Sequence, residues 1–334
     1  MKVLVTGGAG YIGSHTVLEL LNQGYEVAVF DSLEVGHKES LDTVEKITGT
    51  KIPFYQGDLL NKSDIASAIG DYSPEAVIHF AAYALVGESV TDPNKYYRNN
   101  IMGGLNLIES MIENKVDKII FSSTCAIFGQ PEIVPISEDL PKAPINSYGN
   151  SKLMFEDVLR DASKAYGLKY VALRYFNAAG AEPEGRIGED HVCETHLIPL
   201  IMDAALGRRE SIGIYGTDYD TPDGTCIRDY IHVLDLADAH IRSVEYLKKG
   251  NDSTVFNLGT SQGSSVREII DSVKRITGKE FTVVETARRP GDPARLIANN
   301  EKAKTLLGWS TRYTLEDIIS SAWKWELGKG SYEY

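Results

Sequence analysis

Thr6-Gly7-Gly8-Ala9-Gly10-Tyr11-Ile12-Gly13 is the stretch whose reading decides the fold. It follows the short apolar run Val3-Leu4-Val5, which suits a buried strand, and leads into residues 12–21, whose apolar side chains recur at helical spacing. Read as Gly8-x-Gly10-x-x-Gly13 or as Gly7-x-x-Gly10-x-x-Gly13, it is a glycine turn between a strand and a helix. Three glycines are needed for three reasons: a tight turn, the approach of a phosphate to the backbone, and close packing of helix on strand. The helix that follows offers unbonded N–H groups and about half a positive charge to a diphosphate. A glycine triplet alone also fits an ordinary tight turn, so its surroundings must decide.

Val27-Ala28-Val29-Phe30 is a second strand-like run and ends in Asp31. That places a carboxylate about 20 residues beyond the glycines, where it suits ribose hydroxyls and repels a 2′-phosphate, so the expected cofactor is NAD. Asp58, after Phe54-Tyr55-Gln56-Gly57, suits the adenine amine or else caps the helix expected over 61–69. Further strands are expected at 52–55, 76–80, 118–121 and 170–173, with long helices over 94–114 and 147–166. Apolar strands separated by helices imply a parallel sheet covered on both faces. After Asn177 the texture changes: polar loops over 178–195 and 216–225, strands at 211–215 and 254–258, and helices near 197–206, 235–248, 266–277 and 315–326. The expected class is α/β, a Rossmann-type doubly wound sheet over 1–177 with returning segments near 228–260. A smaller mixed α/β substrate domain would occupy 178–334.

Composition narrows the partners. The 334 residues carry a net charge of −13, which argues against nucleic acid and anionic membranes. An anionic small substrate would need arginines gathered locally. No apolar run approaches the ~18–20 residues that span a bilayer, and the start reads as a strand rather than a leader, so the cytosol is the expected location. Cys125, Cys193 and Cys226 show no C-x-x-C spacing, so neither a disulfide framework nor a zinc site is expected, and no metal.

Tyr148-Gly149-Asn150-Ser151-Lys152 is a Y-x-x-x-K pattern at the start of a helical stretch. The pattern is common; its position after Ile119-Ile120-Phe121-Ser122-Ser123-Thr124, at the carboxyl edge of the expected sheet, gives it weight. The spacing sets Tyr148 and Lys152 one turn apart on one face. A phenol titrates near ~10, so a tyrosinate base at neutral pH needs a fall of about 3 units, roughly 4 kcal/mol. The Lys152 ammonium and a positive nicotinamide ring are the charges able to provide it. Lys152 would also hold the nicotinamide ribose, and Thr124 would hydrogen-bond the reacting oxygen.

Together with the glycine turn and the tyrosine–lysine pair, several blocks carry a resemblance: His79-Phe80-Ala81-Ala82, Val86-Gly87-Glu88-Ser89, Tyr97 to Asn100, Arg174-Tyr175-Phe176-Asn177, 185–190, 223–232 and Arg288-Arg289-Pro290-Gly291-Asp292. Over nearly its whole length the chain resembles the UDP-glucose 4-epimerase family of extended short-chain dehydrogenases. The resemblance implies NAD-dependent oxidation of a UDP-hexose at C4, rotation of the 4-keto sugar and re-reduction, interconverting UDP-glucose and UDP-galactose. Tyr148, Lys152 and Thr124 would be catalytic. Cofactor contacts would come from Gly7, Gly10, Tyr11, Ile12, Gly13, Asp31, Ser32, Asp58, Leu59, Phe80, Ala81, Ala82, Asn99, Ser122, Tyr148, Lys152, Tyr175 and Phe176. Substrate contacts would come from Val86, Thr124, Tyr148, Asn177, His196, Leu197, Gly213, Tyr215, Arg228, Tyr230, Arg289, Asp292 and Leu296. On an acidic chain, Arg228 and Arg289 would neutralise the diphosphate. A homodimer through a helix bundle of 94–114 and 147–166 is also implied.

Four positions depart from the family pattern: Thr124 where many members have serine, Ala84 where some have lysine, His196 for an asparagine beside the uridine phosphates, and Leu296 at the gate of the sugar pocket. Leucine is intermediate in size there, so N-acetylated UDP-hexoses remain an open alternative. A nucleotide-sugar 4,6-dehydratase would need an acid–base pair after Thr124, where this chain has Cys125-Ala126. A non-catalytic NAD sensor would have no use for hydroxyl, tyrosine and lysine in one register.

Overall fold

Strand and helix alternate from the first residues of the computed structural model, which describes residues 1–289 and 292–329. The first half runs β1 (Lys2–Thr6), α1 (Tyr11–Asn22), β2 (Glu26–Asp31), α2 (Lys38–Thr48), β3 (Phe54–Gln56), α3 (Lys62–Tyr72), β4 (Ala76–His79), α4 (Val86–Thr91), α5 (Pro93–Tyr96), a π-helical segment (Tyr97–Gly103), α6 (Gly104–Glu113), β5 (Lys118–Thr124), α7 (Ser147–Tyr166) and β6 (Lys169–Tyr175). The second half runs β7 (Asn177–Ala179), α8 (Leu197–Ala205), β8 (Ser211–Tyr215), β9 (Ile227–Arg228), β10 (Tyr230–His232), α9 (Val233–Lys248), β11 (Thr254–Leu258), β12 (Ser264–Ser265), α10 (Val266–Thr277), β13 (Thr282–Thr286), β14 (Arg295–Leu296), α11 (Glu301–Leu307) and α12 (Leu315–Gly328).

Seven strands form one parallel sheet in the order β11-β6-β5-β4-β1-β2-β3. Successive side chains of a strand point to opposite faces, so each strand feeds two apolar layers. Val3, Val5, Val29 and Ile120 pack with α1 and α9 on one face, while Leu4, Phe30, Val77 and Phe121 pack with α3, α6 and α7 on the other. Strand β1 has β2 on one side and β4 on the other, so the connections leave it in opposite directions. A crevice therefore opens beyond its carboxyl end, where such sheets bind ligands.

The outermost strand, β11, comes from far along the chain and pairs parallel with β6, Phe256 opposite Leu173. Beyond the sheet, α8, α10 and α12 pack around β8 through Ile198, Met202, Ile214, Ile269, Val273 and Ile318. Three small ladders lie outside the main sheet: β7 with β10, β12-β9-β14, and β8 with β13.

Some expectations need correction. The helix over 94–114 is interrupted by the π-helical segment, where Asn100 exchanges hydrogen bonds with the backbone of Tyr83 and donates to Ser151 Oγ at 3.0 Å. The strand expected at 52–55 begins at Phe54, after Pro53, which has no N–H to give to a ladder. The loop expected over 178–195 starts inside β7. Helices α2 and α11 and strand β13 lie where no element was expected; α2 buries only Leu41, Thr43 and Val44, and β13 is mostly exposed, so neither carries a strong apolar pattern.

Candidate active site

Backbone crowding fixes the glycine turn. Gly7 has φ +74°, and a Cβ there would stand 2.5 Å from Ala81 N; one on Gly13 would stand 2.1 Å from Gly7 O. Gly10 is different, because a Cβ there would meet only Gly7 O at 3.4 Å, an ordinary contact. What Gly10 keeps clear is the approach to α1, of which it is the N-cap, with no side-chain cap and no acidic residue in the first turn, which Tyr11, Ile12 and Gly13 open. That is ground suited to a diphosphate.

Asp31 closes the other side of the turn. Its Oδ2 accepts the Ala9 N–H and its Oδ1 the Leu33 N–H, both at 2.9 Å, and burial raises its carboxyl above the ordinary value. Each oxygen keeps a second lone pair for a hydroxyl donor. Ser32 follows at once, and its Oγ accepts the Glu34 N–H at 3.3 Å. Asp58 Oδ1 accepts the Leu60 N–H at 2.8 Å beside buried Leu59, whereas the cap of α3 is Asn61. Phe80 N–H and Ala81 N–H both donate to Thr6 O, which sets Phe80, Ala81 and Ala82 alongside the turn; the Phe80 ring itself packs 4.5 Å from that of His240. Asn99 Nδ2 donates to Asn100 Oδ1 at 3.0 Å in the π-helical segment. Clear ground before a helix, a partnered carboxylate and a strand edge together fit a dinucleotide.

At the end of β5, Ser122, Ser123 and Thr124 are all buried. Thr124 Oγ1 accepts the Ala126 N–H at 3.1 Å, and its hydroxyl beside Tyr148 favours the phenolate. Tyr148 enters from α7, whose start is held by the Asn146 side chain accepting the Gly149 N–H at 2.8 Å. One turn on, Lys152 Nζ donates to Ser122 O at 2.8 Å and lies 5.9 Å from the centre of the Tyr148 ring. Burial pushes the phenol well above its ordinary value and lowers Lys152 to about 7. The expectation that Lys152 lowers Tyr148 is therefore not met by these side chains alone. Both are desolvated, and the ammonium bonds a neutral carbonyl that does little to keep it charged. Tyr175, pushed to about 12 by burial, hydrogen-bonds Ser122 Oγ.

A second face is built from the small ladders. Tyr230 lies opposite Asn177 in the β10–β7 pair, and Asn177, Glu189, His196, Leu197 and Tyr230 line one depression. Arg228, on β9, is ion-paired to Asp292 and donates to Ile227 O at 2.7 Å. The Arg289 guanidinium stacks 3.9 Å from the Tyr215 ring centre, and that ring lies 3.2 Å from where a Gly213 Cβ would be. Leu296 pairs with Arg228 across β14–β9 and packs into the cluster containing Phe176 and Phe128. Val86 stands exposed at the start of α4, which packs on α7. Pro290 and Gly291 of the arginine block lie outside the described residues.

Two positioning carboxylates escaped the sequence reading. Glu156 accepts Ser123 Oγ–H at 2.6 Å and forms a buried ion pair with Arg174, Nη2 to Oε2 2.5 Å, which ties the end of β5 to α7 and β6. Asp229, wholly buried between Arg228 and Tyr230, accepts from Thr260 N and Oγ1, Ser261 N and Ala298 N, at 2.6–3.1 Å. Each carboxylate adjoins another charged residue, Asp157 or Arg228, so nothing local in the sequence marked it as buried or supplied its partners.

Comparison with known proteins is consistent along the chain. The family model described as the NAD dependent epimerase/dehydratase family matches residues 3–259. A UDP-glucose 4-epimerase of Halalkalibacterium halodurans is 51% identical over 326 residues, 97% of this chain and 95% of that protein. Among solved structures, UDP-glucose 4-epimerase from Brucella ovis in complex with NAD is 49% identical with a TM-score of 0.92, covering 96% of this chain and 97% of that one. The Bifidobacterium longum UDP-glucose 4-epimerase in complex with NAD+ and UDP is 40% identical with a TM-score of 0.93, covering 99% of each chain.

Proposed function

The chain belongs to the NAD dependent epimerase/dehydratase family and, within it, to the UDP-glucose 4-epimerases, and on that premise we propose that Tyr148, Thr124 and Lys152 carry its proton chemistry. It interconverts UDP-glucose and UDP-galactose with NAD as cofactor. Bound NAD supplies the hydride acceptor and donor for C4 and, through its positive ring, the charge needed to bring the phenol toward neutrality. Tyr148 takes the C4 hydroxyl proton and later returns it. Thr124 steadies the same oxygen by donating its hydroxyl proton, while its own oxygen accepts the Ala126 N–H. Lys152 holds the nicotinamide ribose hydroxyls from the same helix face. The observation that carries this reading is the burial of Thr124, Tyr148 and Lys152 together at the carboxyl end of β5, with Lys152 one turn along α7 and 5.9 Å from the Tyr148 ring centre.

Arg228 and Arg289 hold the diphosphate, each exchanging its present partner, Asp292 or the Tyr215 ring, for phosphate oxygens. Asn177, His196, Leu197 and Tyr230 line the same end, and Leu296 beside Arg228 bounds the sugar. The cofactor set is the glycine turn, Asp31, Ser32, Asp58, Leu59, Phe80 to Ala82, Asn99, Ser122, Tyr175 and Phe176. Elimination chemistry of the 4,6-dehydratase kind is disfavoured, since burial pushes the Cys125 thiol after Thr124 up to about 12. A homodimer is supported by Met102 on the π-helical segment, Leu105 on α6 and Met154 on α7, all apolar and exposed. Among the described residues no helix is long and apolar enough to cross a membrane, and the place we propose for the enzyme is the cytoplasm, in galactose metabolism.

The test is to incubate purified protein with UDP-galactose and with UDP-N-acetylgalactosamine separately, without added NAD, and to identify the products. UDP-glucose should accumulate from the first without net NADH. Accumulation of NADH, or no product at all, would contradict the reading. The second substrate decides whether Leu296 admits the N-acetyl group.

A further inference from the structure

Between β7 and α8 the chain runs through a loop whose polar side chains converge. Glu189, His191, Glu194 and His196 each offer one oxygen or nitrogen, all within 4.8 Å of one another. Glu189 Oε1 is 2.7 Å from His196 Nδ1 and 3.4 Å from His191 Nδ1. Glu194 brings Oε1 to 3.1 Å from His196 Nδ1 and Oε2 to 3.2 Å from His191 Nδ1. Ligands of a tetrahedral ion with bonds of roughly 2.0–2.1 Å stand about 3.3 Å apart, close to these spacings.

Two observations separate this set from a chance gathering of surface charge. Glu194 is already oriented, since its Oε1 accepts the backbone N–H of Thr195 and of His196, both at 2.7 Å. Glu189 is only 6% exposed, and its Oε1, although 2.7 Å from His196 Nδ1, receives no well-aligned N–H, because that ring directs its hydrogen bond to Glu194. A buried carboxylate oxygen whose nearest donor is misaligned is incompletely satisfied, and an ion centred among the four ligand atoms would satisfy it.

We infer that Glu189, His191, Glu194 and His196 form a binding site for a divalent transition-metal ion of the zinc class. Two imidazoles with two carboxylates suit zinc and its neighbours, whereas magnesium and calcium take oxygen ligands. The His191-x-x-Glu194-x-His196 spacing supplies three ligands from one short loop and Glu189 supplies the fourth. Trp325 Nε1 donates to Glu189 O at 2.9 Å, so a bound ion ties this loop to α12. Through His196, the N-cap of α8, it also fixes one wall of the depression that Asn177 and Tyr230 share. The absence of a metal expected from the cysteines overlooked this histidine–glutamate set. The site stands on these side chains and not on the epimerase reading.

The full chain with its NAD is stripped of metal with dipicolinate, then titrated with Zn²⁺ by calorimetry and with Co²⁺ by visible absorption. One ion per chain and the intense bands of four-coordinate cobalt are expected. His191→Ala and Glu194→Gln should each weaken Zn²⁺ binding by about 100-fold or more, a greater loss than outer-sphere changes produce, with unchanged circular dichroism and NAD content. Should one variant fail to fold, the other carries the comparison. Absence of stoichiometric Zn²⁺ binding by the unsubstituted protein, or undiminished binding in a folded variant, would overturn the site. UDP-galactose turnover measured in parallel keeps the two questions apart: an active protein that binds no ion refutes only the metal, and an ion-binding protein without turnover refutes only the epimerase reading.

Discussion

The Thr124–Tyr148–Lys152 corner and the Arg228–Arg289 face are built in different ways. At the corner every side chain is buried and has a near neighbour in sequence or one helical turn away: Thr124 on Ala126 N–H, Tyr148 and Lys152 on one face of α7. At the face, Arg228 pairs with Asp292, and Arg289 stacks on Tyr215, partners that come from distant parts of the chain. On the proposed reading, a packed corner would fix reacting atoms, whereas exchangeable ion pairs and stacks would let a diphosphate enter and leave. The proposed exchange would let a chain of net charge −13 hold an anion: its cations stay occupied until a ligand replaces their partners.

The sharpest way to break this contrast is Tyr148→Phe. Turnover should fall about 1,000-fold or more, within the range for losing a general acid–base, while UDP affinity measured by calorimetry stays within a factor of about two. A loss confined to affinity would reverse the two roles. Next in size is Glu156→Gln, which strands Arg174 in the interior. Unfolding in urea should show a loss of about 3–5 kcal/mol, as for a buried pair broken on one side. A near-neutral result would mean that the corner is not held from behind.

Arg228→Leu should raise the KM for UDP-galactose by roughly 10- to 100-fold with a smaller change in kcat, matching one lost charge-assisted contact. An effect on kcat alone would move Arg228 into the corner. The smallest expected effect on the fold separates two glycines. Gly10→Ala should leave the melting temperature almost unchanged yet lose NAD during gel filtration, because a Cβ there meets protein at only 3.4 Å. Gly13→Ala, with its Cβ 2.1 Å from Gly7 O, should instead be destabilised or fail to fold. Equal behaviour of the two variants would mean that Gly10 also serves the turn.

What could be read in the sequence follows the same division. The glycine turn, Asp31 and the Tyr148–Lys152 pair are local patterns, and the strands of the parallel sheet are continuous apolar runs with clear periods. The π-helical segment over Tyr97–Gly103 could not be read, because its apolar spacing is close to that of a helix and its cause, Asn100 bonding Tyr83 and Ser151, is tertiary. Asp229 and Glu156 were missed for the same reason: each satisfies groups from other elements, which only the tertiary fold brings together. The histidine–glutamate loop was legible in composition, but its convergence was not. The direction of the Tyr148 and Lys152 shifts also depends on burial, which spacing alone does not give.

The most direct test is an ultraviolet difference titration of phenolate absorbance, comparing NAD-loaded protein with its Tyr148→Phe variant. One phenol should ionise near neutrality, well below the usual value of about 10, and should vanish with the substitution. If both proteins show the same curve, with no phenol ionising below about 9, then Tyr148 is not the group that takes the C4 proton.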